Sequence, residues 1–313
     1  MNPSFAIAGI EKLIRTIVLT MCFALWCDPA AAFLTFDGNS KWGSPTLGTG
    51  ATITWSLIPD GTGVVQPSPP PFIPPAFIFS DFWSGTSDLA SVYAQLNPAD
   101  PVNGQSLFNT AINNAFATWA ADANITFVQV SDDGSPLGHT GPTAGKVGDI
   151  RIGAFGLLSP FDAVAAQAFE PPGGTSALAA YLASTDQPST FGDITLNKFA
   201  LFGVAQGNEG DAFDFSNGFF NDIQGLLTHE IGHALGLGHP EADGLTGDEG
   251  TAIMYVGTGC CDNIHRTLGV DDIAGIQYLY GAPVSTAIPV PATLPLFLLG
   301  LVGMRVVVRR RRV

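Results

Sequence analysis

Cysteine, lysine and arginine are all scarce in this chain, and each scarcity excludes something. Only four cysteines occur in 313 residues. Cys22 and Cys27 sit in an amino-terminal apolar run, and Cys260 and Cys261 are adjacent, a spacing that bridges only with strain. No disulfide framework is implied. Bases number 12 against 27 acids. Between the two ends only Lys41, Lys146, Arg151, Lys198 and Arg266 remain, while the acids lost with the ends are Glu11 and Asp28, so the central part carries about −20. Nucleic acid is excluded as a partner, because phosphate binding needs clustered lysine and arginine. An acidic, lysine-poor surface suits an extracellular protein that must stay soluble. Internal repeats are missing as well, including any run of glycine-aspartate nonapeptides.

The ends read as processing segments. Lys12 and Arg15 precede an apolar stretch, Thr16 to Cys27, and Ala30-Ala31-Ala32 supplies the small residues of a cleavage site. Residues 1–32 are therefore expected to be a signal peptide, with the mature start near Phe33. An uncleaved anchor is the competing reading, but the run is shorter than the roughly 20 apolar residues of a span. At the other end, Ile288-Pro289-Val290-Pro291 leads into apolar Ala292 to Met304, then Arg305 and Arg309 to Arg312. Such a stretch would stop in a membrane with its basic end in the cytoplasm. Residues 283–313 resemble the PEP-CTERM sorting signal of Gram-negative bacteria, with Val290 where the usual glutamate would stand. The resemblance implies handling by exosortase-type machinery, passage through the membrane before processing, and an extracellular or cell-surface destination. A plain tail anchor is the alternative.

Residues 33–282, about 250 in number, are long enough for one large domain with a real core. Ala51 to Leu57, Asn124 to Val130 and Asp149 to Phe155 read as strands; Ala165 to Phe169 and Gly192 to Leu196 are weaker strand candidates. The proline-dense stretch within about 64–80 is expected to be an extended insertion. Ser106 to Ala121 places Phe108, Ile112, Phe116 and Trp119 on one helical face, which is ordinary core material. Further helices are expected over Asn221 to Leu235 and Val270 to Tyr280, the last with Asp271 and Asp272 at its favourable amino end. The order is that of an α+β domain with a mixed sheet and three helices.

Chemistry concentrates in His229-Glu230-Ile231-Gly232-His233-Ala234-Leu235-Gly236-Leu237-Gly238-His239. Histidines four apart share one helical face, so His229 and His233 can reach one metal. Gly236 allows the helix to end in a left-handed turn, after which His239 arrives as a third ligand. Three neutral nitrogens leave a position open for water and substrate, as catalytic zinc requires. Glu230 lies beside the first ligand, where a carboxylate can take a proton from the zinc-bound water as it attacks a peptide carbonyl.

This pattern resembles the metzincin metallopeptidases, and within them the matrixin-like group. Ala252-Ile253-Met254-Tyr255 is similar to the Met-turn, which implies that Met254 forms a base under the metal. Leu268 to Gly281 is similar to the closing helix, and Lys41-Trp42, Ala115 to Trp119 and Gly148-Asp149-Ile150 also look matrixin-like. The resemblance implies a zinc metalloendopeptidase on a twisted mixed sheet, with protein or peptide substrates lying extended along an edge strand at Ala165, Ala166, Gln167, Ala168 and Phe169.

Departures from the pattern carry their own expectations. Gln167 and Thr195 stand where relatives have histidines of a second, structural zinc; neither is a good ligand, so one zinc is expected. Calcium could bind through Asp162, Asp193 or the Asp211 to Asp214 loop, although aspartates in loops are commonly solvated. His139 and His265 read as exposed loop residues. Cys260 and Cys261 fall where relatives shape the S1′ pocket. Pro240 after the third histidine is serralysin-like, whereas the compact Ile253-Met254-Tyr255 turn is matrixin-like. The competing class is a catalytically inactive surface or adhesion protein on the same fold.

Overall fold

In the computed structural model the described residues are 33–36, 38–64, 83–138, 147–157, 165–173, 191–212, 221–240, 252–255 and 264–284. The signal peptide, most of the proline-rich stretch, His139, Lys146, Asp162, Asp214, Cys260, Cys261 and nearly all of the carboxy-terminal tail lie outside them. Among the described residues no helix is long and apolar enough to cross a membrane.

In chain order the strands are β1 (Leu34–Thr35), β2 (Ala51–Leu57), β3 (Trp83–Ser84), β4 (Ile125–Gln129), β5 (Ile150–Leu157), β6 (Ala166–Ala168), β7 (Ile194–Asn197), β8 (Phe202–Gly203), β9 (Asn221–Asp222) and β10 (Leu237–Gly238). The helices are α1 (Leu89–Leu96), α2 (Pro101–Asp122), α3 (Ile223–Ala234) and α4 (Val270–Tyr280). The main sheet runs β4-β2-β5-β7-β6, parallel along this path except for β6, which closes one edge antiparallel to β7, while β3 pairs antiparallel with β5 off the path. Every residue of the central strand β5 is buried, as expected where a parallel strand is covered on both faces.

The two faces bury different side chains. Ile53, Trp55, Ile150, Ile152 and Ala154 face α2, α3 and α4, packing against Phe108, Ile112, Phe116, Trp119, Ile231 and Leu279. Phe155 and Leu157 point the other way, into a smaller cluster with Ile58, Trp83, Leu137 and Phe169. The α+β expectation thus holds, with one helix more than expected among the described residues. α1 was not anticipated, because eight residues give little periodicity to read. Its start is nonetheless local: the Asp88 side chain accepts from Ser91 N at 3.1 Å. α2 begins five residues before the expected Ser106, because Asp100 caps Asn103 N and Pro101 occupies the first turn, where its missing N–H costs nothing.

Candidate metal centre

α3 starts at Asp222, whose carboxylate accepts from Gly225 N at 2.9 Å, and carries His229, Glu230 and His233 along its length. The helix ends at Ala234, and Gly236 reverses the chain with φ of 109°. A side chain there is excluded twice, by that backbone and by Ser40 O, which would lie 2.2 Å from a Cβ. His239 follows β10 and completes the group.

The three imidazoles converge. His239 Nε2 lies 3.1 Å from His229 Nε2 and 2.8 Å from His233 Nε2, and one ligand atom from each histidine lies within 4.8 Å of the others. His229 Nδ1 is 2.7 Å from Ile253 O and His233 Nδ1 is 2.8 Å from Leu237 O. A carbonyl only accepts, so both Nδ1 atoms carry the proton and both Nε2 atoms present lone pairs. One Nε2 proton on His239 could satisfy only one of its two neighbours, whereas a single Lewis acid satisfies all three. The donor set therefore fits a zinc ion held by three neutral nitrogens. Burial pushes His229 down to about 4 and, with repulsion from its two neighbours, His233 well below the usual range, so both stay neutral.

Glu230 is 5 % exposed, and among the described residues its Oε2 has no hydrogen-bond partner. Burial pushes its carboxyl up to about 8; a divalent cation nearby would draw it back down. A buried carboxylate oxygen without a partner among the described residues is a costly arrangement that a reacting group would relieve.

Met254 lies beneath the helix. A Cβ on Gly232 would stand 2.3 Å from its Sδ, so the turn and the helix are in direct contact. The turn is tied to α4 by Asp272, whose carboxylate accepts from Ile253 N at 2.6 Å, Met254 N at 3.1 Å and Gly269 N at 2.8 Å. Read from sequence, Asp272 is a favourable charge at a helix end; in the fold it also joins two segments. Burial raises its carboxyl to about 6, against the pull of those N–H donors.

Ala165 to Phe169 follow the edge of the sheet. β6 pairs with β7, and main-chain bonds extend the pairing from Ala165 O to Asn197 N and from Phe169 N to Asp193 O. Gln167 and Thr195 are register partners there, and the Thr195 hydroxyl donates to Gln167 O at 3.3 Å. Asp193 is not a solvated turn residue. It is fully buried, accepts from Arg151 N at 3.2 Å, and burial holds its carboxyl well above the usual range. Asp211 caps its own loop, accepting from Asn208 N at 2.7 Å. His265 is partly buried, 3.7 Å from Glu209, rather than an exposed loop residue.

Sequence reasoning missed several supports of α3. Trp119 Nε1 donates to Thr228 O at 2.8 Å, Trp42 Nε1 to Ala234 O at 2.8 Å, and Arg266 pairs with Asp222. Each joins residues far apart in the chain, so no spacing announced it.

The matrixin family profile matches residues 91–281. Metalloendoproteinase 2-MMP of Arabidopsis thaliana is 29 % identical over 195 residues, covering 59 % of this chain and 40 % of that protein. Metalloendoproteinase 4-MMP of the same plant is 28 % identical over 171 residues, 53 % of this chain and 38 % of its own length. Matrix metalloproteinase-18 of Xenopus laevis is 30 % identical over 180 residues, 56 % of this chain and 29 % of its own. The chain thus spans well under half the length of these relatives.

Proposed function

This chain belongs to the matrixin family, and from that premise we propose that it is an exported zinc metalloendopeptidase that hydrolyses peptide bonds within proteins. The observation that carries the proposal is the convergence of His229, His233 and His239, on a helix that also carries the buried carboxyl of Glu230 next to His229 in sequence.

His229, His233 and His239 would hold the ion through Nε2. When bound, zinc supplies Lewis acidity that lowers the pKa of a water molecule toward neutrality and polarises a carbonyl. Glu230 takes the proton of the attacking water on its carboxylate and passes it to the leaving amine. The edge strand Ala165 to Phe169 would receive an extended substrate, antiparallel, main chain to main chain. Met254 supports the helix from below. An amide at Gln167 and a hydroxyl at Thr195, paired across β6 and β7, support a single zinc, since neither is a strong ligand for that ion. The matrixin rather than serralysin form of the site rests on the compact turn at Met254. The signal-like amino terminus and the PEP-CTERM-like tail support export and surface delivery through exosortase-type processing.

A casein or quenched-peptide assay with and without a chelator tests this reading. Activity that disappears with the chelator and returns with zinc is expected. A zinc-loaded, folded protein without peptidase activity would favour the surface or adhesion alternative.

A further inference from the structure

Only four residues separate the end of α3 from His239, and they carry the chain through a full reversal. In a helix the last carbonyls have no intrahelical partner. Here the carbonyls at the helix end and just beyond it are met one by one. Ala234 O accepts from Trp42 Nε1 at 2.8 Å, Leu235 O from the Tyr280 hydroxyl at 2.9 Å, and Gly236 O from Phe36 N at 3.0 Å. Leu237 and Gly238 then pair with Thr35 and Leu34. The Tyr280 hydroxyl has a second bond, accepting from Trp42 N at 3.0 Å. One hydroxyl thus joins the segment at Trp42 to the end of the ligand helix. Tyr280 is wholly buried. The Lys41 ammonium sits 4.8 Å over its ring and donates to the carbonyls of Trp42, Ser44 and Thr49, which holds the segment in place.

We propose that Trp42 and Tyr280 are positioning residues for the metal centre: by fixing the last carbonyls of α3 they set where the chain turns at Gly236, and so where His239 arrives. The inference rests on the reading of the three histidines as a zinc set. Both side chains reach the ligand segment through its backbone carbonyls. Their effect passes through Ala234 and Leu235 to the turn, and from Leu237 O to His233 Nδ1. Outer groups that orient ligands in this way are worth 10- to 100-fold in metal affinity.

Tyr280→Phe keeps the ring and removes the hydroxyl; Trp42→Phe removes the indole donor. Ser87→Ala is the control, since it deletes a buried hydroxyl bonded to Ile58 O, away from the histidines. For each full-length protein, the zinc dissociation constant is measured by chelator competition, together with the visible spectrum of the cobalt-substituted form and the melting temperature without metal. The expected result is zinc binding weakened about 10- to 100-fold in Tyr280→Phe and Trp42→Phe, with shifted cobalt bands, while Ser87→Ala lowers only the melting temperature. Wild-type zinc constants and cobalt bands in both site variants would overturn the assignment, even if both melt lower. Wild-type protein that holds no zinc would overturn the zinc reading, and this inference with it. If one variant does not fold, the other decides by the same two readouts.

Discussion

The Arg266 guanidinium closes on the Asp222 carboxylate with both arms, Nη2 lying 2.5 Å from Oδ1 and Nε 2.6 Å from Oδ2. Asp222 is also the cap of α3, and its oxygens accept from Gly225 N and Ala205 N at 2.9 Å each. The residues leading into α4 are thereby fastened to the start of the helix that carries His229 and His233. Arg266 Nη2 adds a bond to Ala205 O at 2.9 Å.

Arg266→Ala would leave a nearly buried carboxylate without its cation. Removing one partner of such a pair is far more damaging than the pair is stabilising. A loss of about 3 kcal/mol is expected from urea unfolding of the metal-free protein. The double variant Arg266→Ala/Asp222→Ala should lose less than the two single effects added together. Additive losses would show that the two side chains do not act as a unit.

Glu230→Ala should bind zinc while losing peptidase activity by roughly 100- to 10,000-fold, the range for removal of a general base. The measurement is kcat on a quenched peptide alongside metal content. A variant that turns over at the wild-type rate would remove Glu230 from the mechanism.

Gly232→Ala probes the contact between the helix and the turn at Met254. The added Cβ would stand 2.3 Å from Met254 Sδ and 2.8 Å from the Trp119 ring, in a region where both neighbours are buried. Overpacking should destabilise the fold by about 1–3 kcal/mol. Gly232→Ala combined with Met254→Ala should recover part of that loss, and failure to recover any would place the strain at Trp119 instead.

Asp272 makes stability depend on pH. Burial raises its carboxyl to about 6 in the fold, above the ordinary aspartate value of about 3.9. The folded state therefore holds the proton more tightly. Its favourable contribution is complete below about pH 4 and is lost as the pH rises through 6. Between pH 4 and 7, wild type should lose on the order of 3 kcal/mol relative to Asp272→Asn, which does not titrate. Unfolding curves of both metal-free proteins across that range check the slope; a constant difference would refute it. Asp272→Asn should also be less stable than wild type at pH 7, because an amide has one acceptor oxygen for three N–H donors.

Local features of this chain were readable directly from its residues. His229 and His233 are four apart on a helix, so their shared face follows from helical geometry alone. Gly236 announces a reversal because its backbone angle is open to glycine and costly to others. The alternation and run length of β2 and the apolar spacing of α2 and α4 likewise belong to short windows of sequence. α1 escaped because its period is too brief to detect, and the buried role of Asp193 escaped because a loop aspartate gives no sign of the Arg151 backbone that will meet it. Which residues hold the ligand helix was decided only by tertiary structure. Trp42 and Ala234, Arg266 and Asp222, and Asp272 and the backbone of Ile253 are far apart in the chain, and no periodicity relates them. Hydrogen bonds between such pairs depend on how the sheet, the helices and the turn are stacked, so their partners exist only once the chain has folded.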